Sequence, residues 1–409
     1  MEAPLKGITV VEMSTFVAGP VTARLLADMG ATVIKVERPE GDAWRHTAKS
    51  YLPKRFSDDE NPVFDIYNTG KKHIALNVKT EEGKQALYKL LENAQVFITN
   101  TRPKALKRLG LHPDELRKKY PKLVYALFLG YGEAGPDADM PAFDTSAFWA
   151  RSGFLLDMSA KDHYHPVLPP YAVGDTVSGY VLAMQICAAL VRLEKTGEGD
   201  LVKSSLFHNS IFSMGTMQIT TQPPFGRKLP LERAQYDLFS GSYECSDGEW
   251  VFLSGYSEMI YKDLHKLIDR EDLNESELFF KAFNQKIREY RNEYYQLVKG
   301  AILEKPSEYW LKKAKELDMP LVRMGHFHDL ASDPQAWANG YLEKVSFPSG
   351  NEDIMPSSPV EMESVGKIIT KPSAPVGADT KEILENIGYT SEQIESMEKN
   401  GAVFTAPNK

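Results

Sequence analysis

Between residues 7 and 130 the chain alternates between two hydrophobic periods, and no other feature constrains its fold as tightly. GITVVEMS (7–14) is a short β-branched run, VTARLLADMG (21–30) has helical spacing and ends on glycine, and ATVIKVERP (31–39) is a strand stopped by Pro39. HIALNVK (73–79), EEGKQALYKLLENA (81–94), VFITN (96–100), PDELRKKY (113–120) and LVYALFLG (123–130) continue as strand, helix, strand, helix, strand. Strands separated by helices predict a parallel sheet covered on both faces, the α/β class with a Rossmann-like layer.

Beyond residue 130 the pattern loosens. GYGEAGPDADMPAFD (130–144) is turn-rich, and TVSGYVLAMQICAALVRLEKTG predicts a helix from about 176 to 195, ending at Gly197. VKSSLFHNSIFSMGTM (202–217) reads as a helix or as a strand leading into one. TQPPFGRKLP (221–230) reads as a linker, and 237–255 as a hairpin turning at Ser246-Asp247-Gly248. Helical segments fill 257–318, and the tail mixes short strands with a final helix, SEQIESMEK.

Composition narrows the function classes. With 42% hydrophobic and 25% charged residues in 409, the chain has the balance of an ordinary soluble protein and enough length for more than one domain. Its 48 basic against 56 acidic residues leave a net charge of −8, the wrong sign for a nucleic-acid partner. Cys187 and Cys245 are too few for a disulfide framework or a multi-cysteine metal site. The start, MEAPLKGITVVEM, lacks the basic and apolar regions of a signal peptide. The longest apolar stretch, near 181–193, is interrupted by Gln185 and reads as too short to span a bilayer. The expectation is a cytoplasmic protein with no membrane partner. One charge asymmetry stands out: residues 71–122 hold 13 basic and 5 acidic side chains, a local +8. Solvated helix faces account for such a surplus, as does an electropositive wall for a phosphorylated ligand.

Several motifs fail on inspection. Gly130-Tyr131-Gly132-Glu133-Ala134-Gly135 fits G-x-G-x-x-G after a strand, but the prolines and carboxylates at 136–141 make a poor helix and repel phosphate. His163-Tyr164-His165 and His326-Phe327-His328 lack further ligands nearby, so no metal is expected. No G-x-S-x-G occurs. Asp175 is different. In Val173-Gly174-Asp175-Thr176-Val177-Ser178-Gly179-Tyr180 it stands just before an apolar helix, either as an N-cap or as a carboxylate nucleophile beside glycines. A capping carboxylate is tied up, so the two readings are only partly compatible.

The succession LKGITVVEM (5–13), AGPVTARLLADMGATVIKVERPEGDAWR (18–45), NTGKKHIALNVKTEEGK (68–84), GYGEAGP (130–136), GDTVSGY (174–180) and KTGEGDLVKSSL (195–206) resembles the class III coenzyme A-transferases. The likeness continues through Asp318-Met319-Pro320 to NIGYTSEQI (386–394). It implies a large Rossmann-like domain built from both chain ends, a smaller inserted domain, and a dimer of two interlocked rings. The boundaries it suggests are 1–220 for the N-terminal part of the large domain, 221–318 for the small domain with its linker, and 319–409 for the return.

The resemblance also implies chemistry. Asp175 matches the family's nucleophile, which forms a mixed anhydride and then an aspartyl-CoA thioester. CoA thioesters are the substrates, with no metal and no permanently bound cofactor. Matching motifs place CoA contacts at Val17, Ala18, Arg38, Asn68, Lys71, Lys72, Asn100, Thr101, Arg102 and Arg108. The arginines suit forked phosphate contacts and the lysines act as point charges. The tetraglycine loop of formyl-CoA transferase has no counterpart here. In the related racemases a histidine precedes the aspartate that matches Asp144; here that position is Phe143, which argues for transfer over racemisation.

PAFDTSAFWARSG (141–153), NTGKKHIALNVKTEEGK (68–84) and DPQAWANGYLEKVSFPSGNE (333–352) are most similar to the 2-hydroxyacid branch, which includes phenyllactate and 2-hydroxyisocaproate CoA-transferases. That branch supplies a 2-hydroxyacyl-CoA dehydratase in amino-acid fermentation. Phe143, Phe148, Trp149 and Phe154 are either the wall of an apolar acyl pocket or ordinary core aromatics. An acyl-CoA racemase, another class III transferase (formyl-CoA, carnitine or succinyl-CoA type) and a non-catalytic CoA-binding protein are the rival readings.

Overall fold

The computed structural model describes residues 2–52, 60–159, 161, 165–231, 240–255 and 258–406. His163, Tyr164 and the start of the expected hairpin at 237–239 lie outside them. The chain divides into two compact units. The first comprises Met1–Phe154, Pro169–Ile219 and Pro334–Lys409; the second comprises Leu155–Leu168 and Thr220–Asp333.

The first unit is built on a seven-stranded sheet. Its parallel strands are β1 (Thr9–Met13), β2 (Thr32–Glu37), β3 (Lys72–Leu76), β4 (Val96–Thr99), β5 (Val124–Leu129) and β6 (Leu201–Ser205). They stand in the order β3-β2-β1-β4-β5-β6, and Val403–Phe404 adds an antiparallel edge beside β3. The α/β reading of the sequence is therefore correct. Successive strands move outward from β1 on one side and then from β4 on the other, so the order reverses between β1 and β4. At such a switch the connections leave in opposite directions and open a crevice at the carboxyl ends of the strands. β4 and β5 are buried along their whole length, as apolar strands covered on two faces must be.

Two helices frame that crevice. Ala18–Asp28 follows β1, and Val173–Thr196 packs across it through Ser178, Leu182 and Ile186, which recur every fourth residue and are buried. Gly179 makes the crossing close. A Cβ there would stand 2.1 Å from Val21 Cγ1, and the Thr22 hydroxyl instead donates to Gly179 O at 3.1 Å. The sequence reading of this apolar stretch as too short for a bilayer is corrected: the helix has 24 residues and is long and apolar enough by length and composition. Its packed face is that of a core helix. The segment at 202–217 resolves into β6 followed by the helix Leu206–Ser213, capped by Ser205.

The second unit carries a three-stranded antiparallel sheet, β7 (Gly241–Glu244), β8 (Trp250–Leu253) and β9 (Leu321–Arg323), packed on four helices within 258–316. The hairpin turn at Ser246-Asp247-Gly248 is present, with Gly248 at φ +80°. The expected return to the large domain at residue 319 is corrected by β9. Leu321 pairs with Leu253, so the strand completes this second sheet and the chain re-enters the first unit at Pro334.

Candidate active site

The crevice is a cavity of about 1020 Å³ lying wholly within the first unit. Its walls are the chain segments that leave the carboxyl ends of five parallel strands: 13–16 after β1, 36–42 after β2, 76–79 after β3, 100–103 after β4 and 128–130 after β5. Residues 140–143 and Asp175 close it.

Asp175 is the third residue of its helix. The cap position belongs to Ala172, at φ +64°, whose side chain makes no capping hydrogen bond. Thr176 Oγ1 donates to Ala172 O at 2.7 Å. The capping alternative is thereby removed, and the Asp175 carboxylate stands half-buried on the cavity wall. Burial, and then the charge of Asp144, push its carboxyl up to about 7.

Asp144 is buried directly against the helix start. A Cβ on Gly174 would lie 2.2 Å from Asp144 Oδ1 and 2.4 Å from Phe148 Cγ, so only glycine fits there. Neither Asp144 oxygen closes a hydrogen bond of normal geometry. Burial raises its carboxyl to about 6, against the pull of the Ala172, Gly174 and Asp175 amides and the Trp149 indole. Two neighbouring carboxyls of this kind titrate as a pair, because the first charge disfavours the second. The Tyr67 phenol also faces them.

Of the residues expected around CoA, the structure brings Ala18, Arg38, Asn100, Thr101 and Arg102 to the cavity together with Asp175. Arg38 is exposed and makes no ion pair among the described residues. Val17 is buried in the apolar cluster behind the first helix. Lys72 pairs with Glu382 at 2.6 Å, and Arg108 is exposed and does not itself line the cavity, although Ala105 and Leu109 on its helix do.

Asn68 and Lys71 correct the sequence reading most sharply. Lys71 is buried, and its three N–H bonds go to Glu12 at 2.7 Å, Pro20 O at 2.8 Å and Asn68 Oδ1 at 3.0 Å. The Asn68 amide donates in turn to Phe64 O. Neither is free to meet a phosphate; the Lys71 amine instead pairs with a carboxylate inside the sheet layer, where burial lowers its pKa to about 7 against the pull of Glu12.

That carboxylate belongs to a buried ionic frame under the cavity. Glu12 lies between Lys71 and Lys35, the latter at 3.0 Å, and despite burial the two ammonium groups hold its carboxyl down at about 2. Lys35 also pairs with Asp42 at 3.0 Å. Next to them Glu37 receives Arg45 through two bonds of 2.8 Å and His73 at 2.8 Å.

Sequence reasoning missed Phe16, Asn77 and Lys79 on the cavity wall. Asn77 and Lys79 had an available signal, since they directly follow β3 and ligands bind beyond the carboxyl ends of such strands. Of the four aromatic candidates, Phe143 alone lines the cavity. Phe148 and Trp149 are buried, their rings 5.1 Å apart, and Phe154 packs against Trp149 at 4.8 Å.

Comparison with known proteins agrees with this architecture. The family model of CoA-transferase family III matches residues 5–380. The chain is 37% identical over 402 residues to the (R)-2-hydroxy-4-methylpentanoate CoA-transferase of Clostridioides difficile, covering 98% of this chain and 99% of that one. It is 36% identical over 407 residues to the cinnamoyl-CoA:phenyllactate CoA-transferase of Clostridium sporogenes, covering 98% of each. Among solved structures, Rv3272 from M. tuberculosis superposes with a TM-score of 0.78 at 26% identity, over 93% of this chain and 99% of that one.

Proposed function

The chain belongs to CoA-transferase family III, and we propose that it moves CoA from an enoyl-CoA or 2-hydroxyacyl-CoA to a free (R)-2-hydroxy acid with Asp175 as the covalent carrier. The observation that carries this reading is the Asp175 carboxylate itself, uncapped at a helix start and open to a cavity at the sheet switch point. The similarity to two 2-hydroxyacid CoA-transferases supports the choice of acid.

In this mechanism the Asp175 carboxylate attacks the thioester carbonyl and CoA thiolate leaves, giving a mixed anhydride whose acyl group stays activated. The thiolate then attacks the aspartyl carbonyl and releases the donor acid. The acceptor carboxylate attacks the resulting aspartyl-CoA thioester, again expelling thiolate, which takes the new acyl group and frees Asp175. The amide dipoles at the helix start favour the negative charge that develops at each addition. A raised carboxyl pKa suits the role, because a more basic carboxylate is a better nucleophile and acylation removes an unfavourable buried charge.

Asp144 then tunes the nucleophile. Asp175 attacks only when ionised, so kcat/KM is expected to rise with pH to a plateau above about 7. In Asp144→Asn the like charge is gone, Asp175 ionises more easily, and the acid limb should move down by about one pH unit. A pH–rate profile of the two proteins checks this; an unmoved limb contradicts the coupling.

Arg38, Thr101 and Arg102 are assigned to the CoA phosphates and their linker, while the Asn100 side chain is held on Thr15. Arg38→Ala should raise the KM for acyl-CoA about 10–100-fold with little change in kcat, as loss of a charge-assisted contact made equally in ground and transition states. An unchanged KM removes Arg38 from the site. The racemase reading is disfavoured by Phe143, which lines the cavity and has no proton to exchange. Incorporation of solvent deuterium at the carbon next to the thioester, without CoA exchange, would restore it.

In wider context the enzyme is read as a cytoplasmic homodimer that serves a 2-hydroxyacyl-CoA dehydratase in amino-acid fermentation. Tyr180, Met184 and Val191 leave an exposed apolar stripe on the Asp175 helix that a second copy would cover. A native mass of a single 46.0 kDa chain would contradict the dimer. The assay for the whole proposal follows CoA between cinnamoyl-CoA and phenyllactate, or the 2-hydroxyisocaproate pair, by chromatography. Exchange with succinate or oxalate but no 2-hydroxy acid would replace the proposed acceptor.

A further inference from the structure

Phe16 has a backbone φ of +65°, the left-handed region that bulky residues seldom occupy. Its neighbours hold it there. Asn100 clamps the preceding residue, accepting the Thr15 N–H at 3.1 Å and donating to Thr15 O at 2.8 Å. Asp42 Oδ1 accepts the Phe16 N–H at 3.3 Å, while its other oxygen is paired to buried Lys35. A rigid ionic frame thus maintains an unfavourable conformation at a cavity wall, where strain commonly serves a site.

The conformation places the Phe16 ring edge-to-face with Phe143, with centroids 5.6 Å apart and planes at 80°, and Trp44 stands behind it at 6.0 Å. Phe143 is fixed in turn: its N–H donates to Ser146 Oγ at 3.0 Å, and that hydroxyl lies 3.0 Å from Phe143 O. Even so, 57% of Phe143 remains exposed, and both rings line the cavity. The pair belongs to the nucleophile's end. Phe143 adjoins Asp144, which abuts Gly174, and Phe16 packs in one apolar cluster with Ala172. An apolar surface held open beside a carboxylate calls for an apolar group attached to the carbonyl that the carboxylate attacks.

We propose that Phe16 and Phe143 recognise the bulky apolar side chain of the acid whose carboxyl group is exchanged at Asp175, and so select aryl or branched-alkyl 2-hydroxy acids over small ones. This rests on the reading of Asp175 as the carrier in CoA transfer to 2-hydroxy acids. Two rings meeting edge to face leave at least one face of each for a further apolar group, and such contacts discriminate by size and shape while leaving the CoA portion untouched.

The test measures kcat/KM for lactate, 2-hydroxyisocaproate and phenyllactate with one acyl-CoA donor, in the parent, Phe143→Ala and Phe16→Leu. Phe143 is exposed enough for alanine to fold, and Phe16→Leu keeps an apolar residue at the strained position. Both variants should lower the preference for a bulky acid over lactate, Phe143→Ala by about 10–100-fold. A greater loss for phenyllactate identifies an aryl acid as the preferred occupant, and a greater loss for 2-hydroxyisocaproate a branched alkyl one. Equal losses for all three acids, or an unchanged preference, would overturn the aromatic assignment alone. A parent enzyme that passes CoA to none of the three acids would instead overturn the reading beneath it.

Discussion

Asp175→Ala is expected to lower CoA transfer by at least about 10⁴-fold while leaving acyl-CoA binding largely intact, because the covalent route runs through that one carboxylate at the helix start. Asp144 cannot substitute: it is buried against Gly174 and does not line the cavity. The variant carries a second expectation of opposite sign. A carboxyl raised from 3.8 to about 7 ionises in the unfolded chain at a pH where it stays protonated in the folded one. Folding stability is therefore lost as pH rises from about 4 towards 7, and removing the group restores it. Asp175→Ala should melt at or above the parent temperature at pH 8. A variant with parent-like activity would contradict the nucleophile, and a variant that is inactive because it is unfolded would contradict the stability argument.

Glu12→Ala should be the most damaging single change to the fold outside the apolar core. It removes the carboxylate between fully buried Lys35 and Lys71; Lys35 keeps Asp42, while Lys71, whose amine burial already lowers to about 7, loses its ion-pair partner. Leaving a buried charge uncompensated costs about 3–5 kcal/mol, a large share of the roughly 5–15 kcal/mol that holds a domain folded. Lys6→Ala is the matching surface control. It breaks the exposed Glu2–Lys6 bridge, a contact of the kind worth under about 1 kcal/mol. Urea midpoints of the parent and the two variants check the contrast. A Glu12→Ala midpoint as close to the parent as that of Lys6→Ala would contradict the view of this network as the support beneath the cavity.

The sheet was legible because β1 to β5 are short, apolar and punctuated, and the ends of each lie within three residues of those expected. Their lateral order was not, since nothing local in a strand says which neighbour it takes. Asp175 was visible as a residue at a helix start, yet that it does not cap the helix was not, since the cap position falls to Ala172, which carries none of the usual capping side chains. Lys71 misled for a related reason. A lysine at a turn looks solvated until Glu12, 59 positions away, is placed beside it by the sheet. The return at residue 319 failed because β9 is three residues long and too short to announce its pairing. Phe16 had no sequence signal at all: its conformation is imposed by Asn100 and Asp42, which are remote in the chain.

The central claim is the covalent role of Asp175, and intact-protein mass spectrometry after mixing with cinnamoyl-CoA or isocaprenoyl-CoA tests it most directly. The expected result is an adduct sensitive to hydroxylamine and borohydride, mapped to Asp175, absent in Asp175→Ala, and discharged by phenyllactate or 2-hydroxyisocaproate. A folded protein that binds acyl-CoA yet forms no adduct with either thioester, or forms it on another residue, would contradict the account.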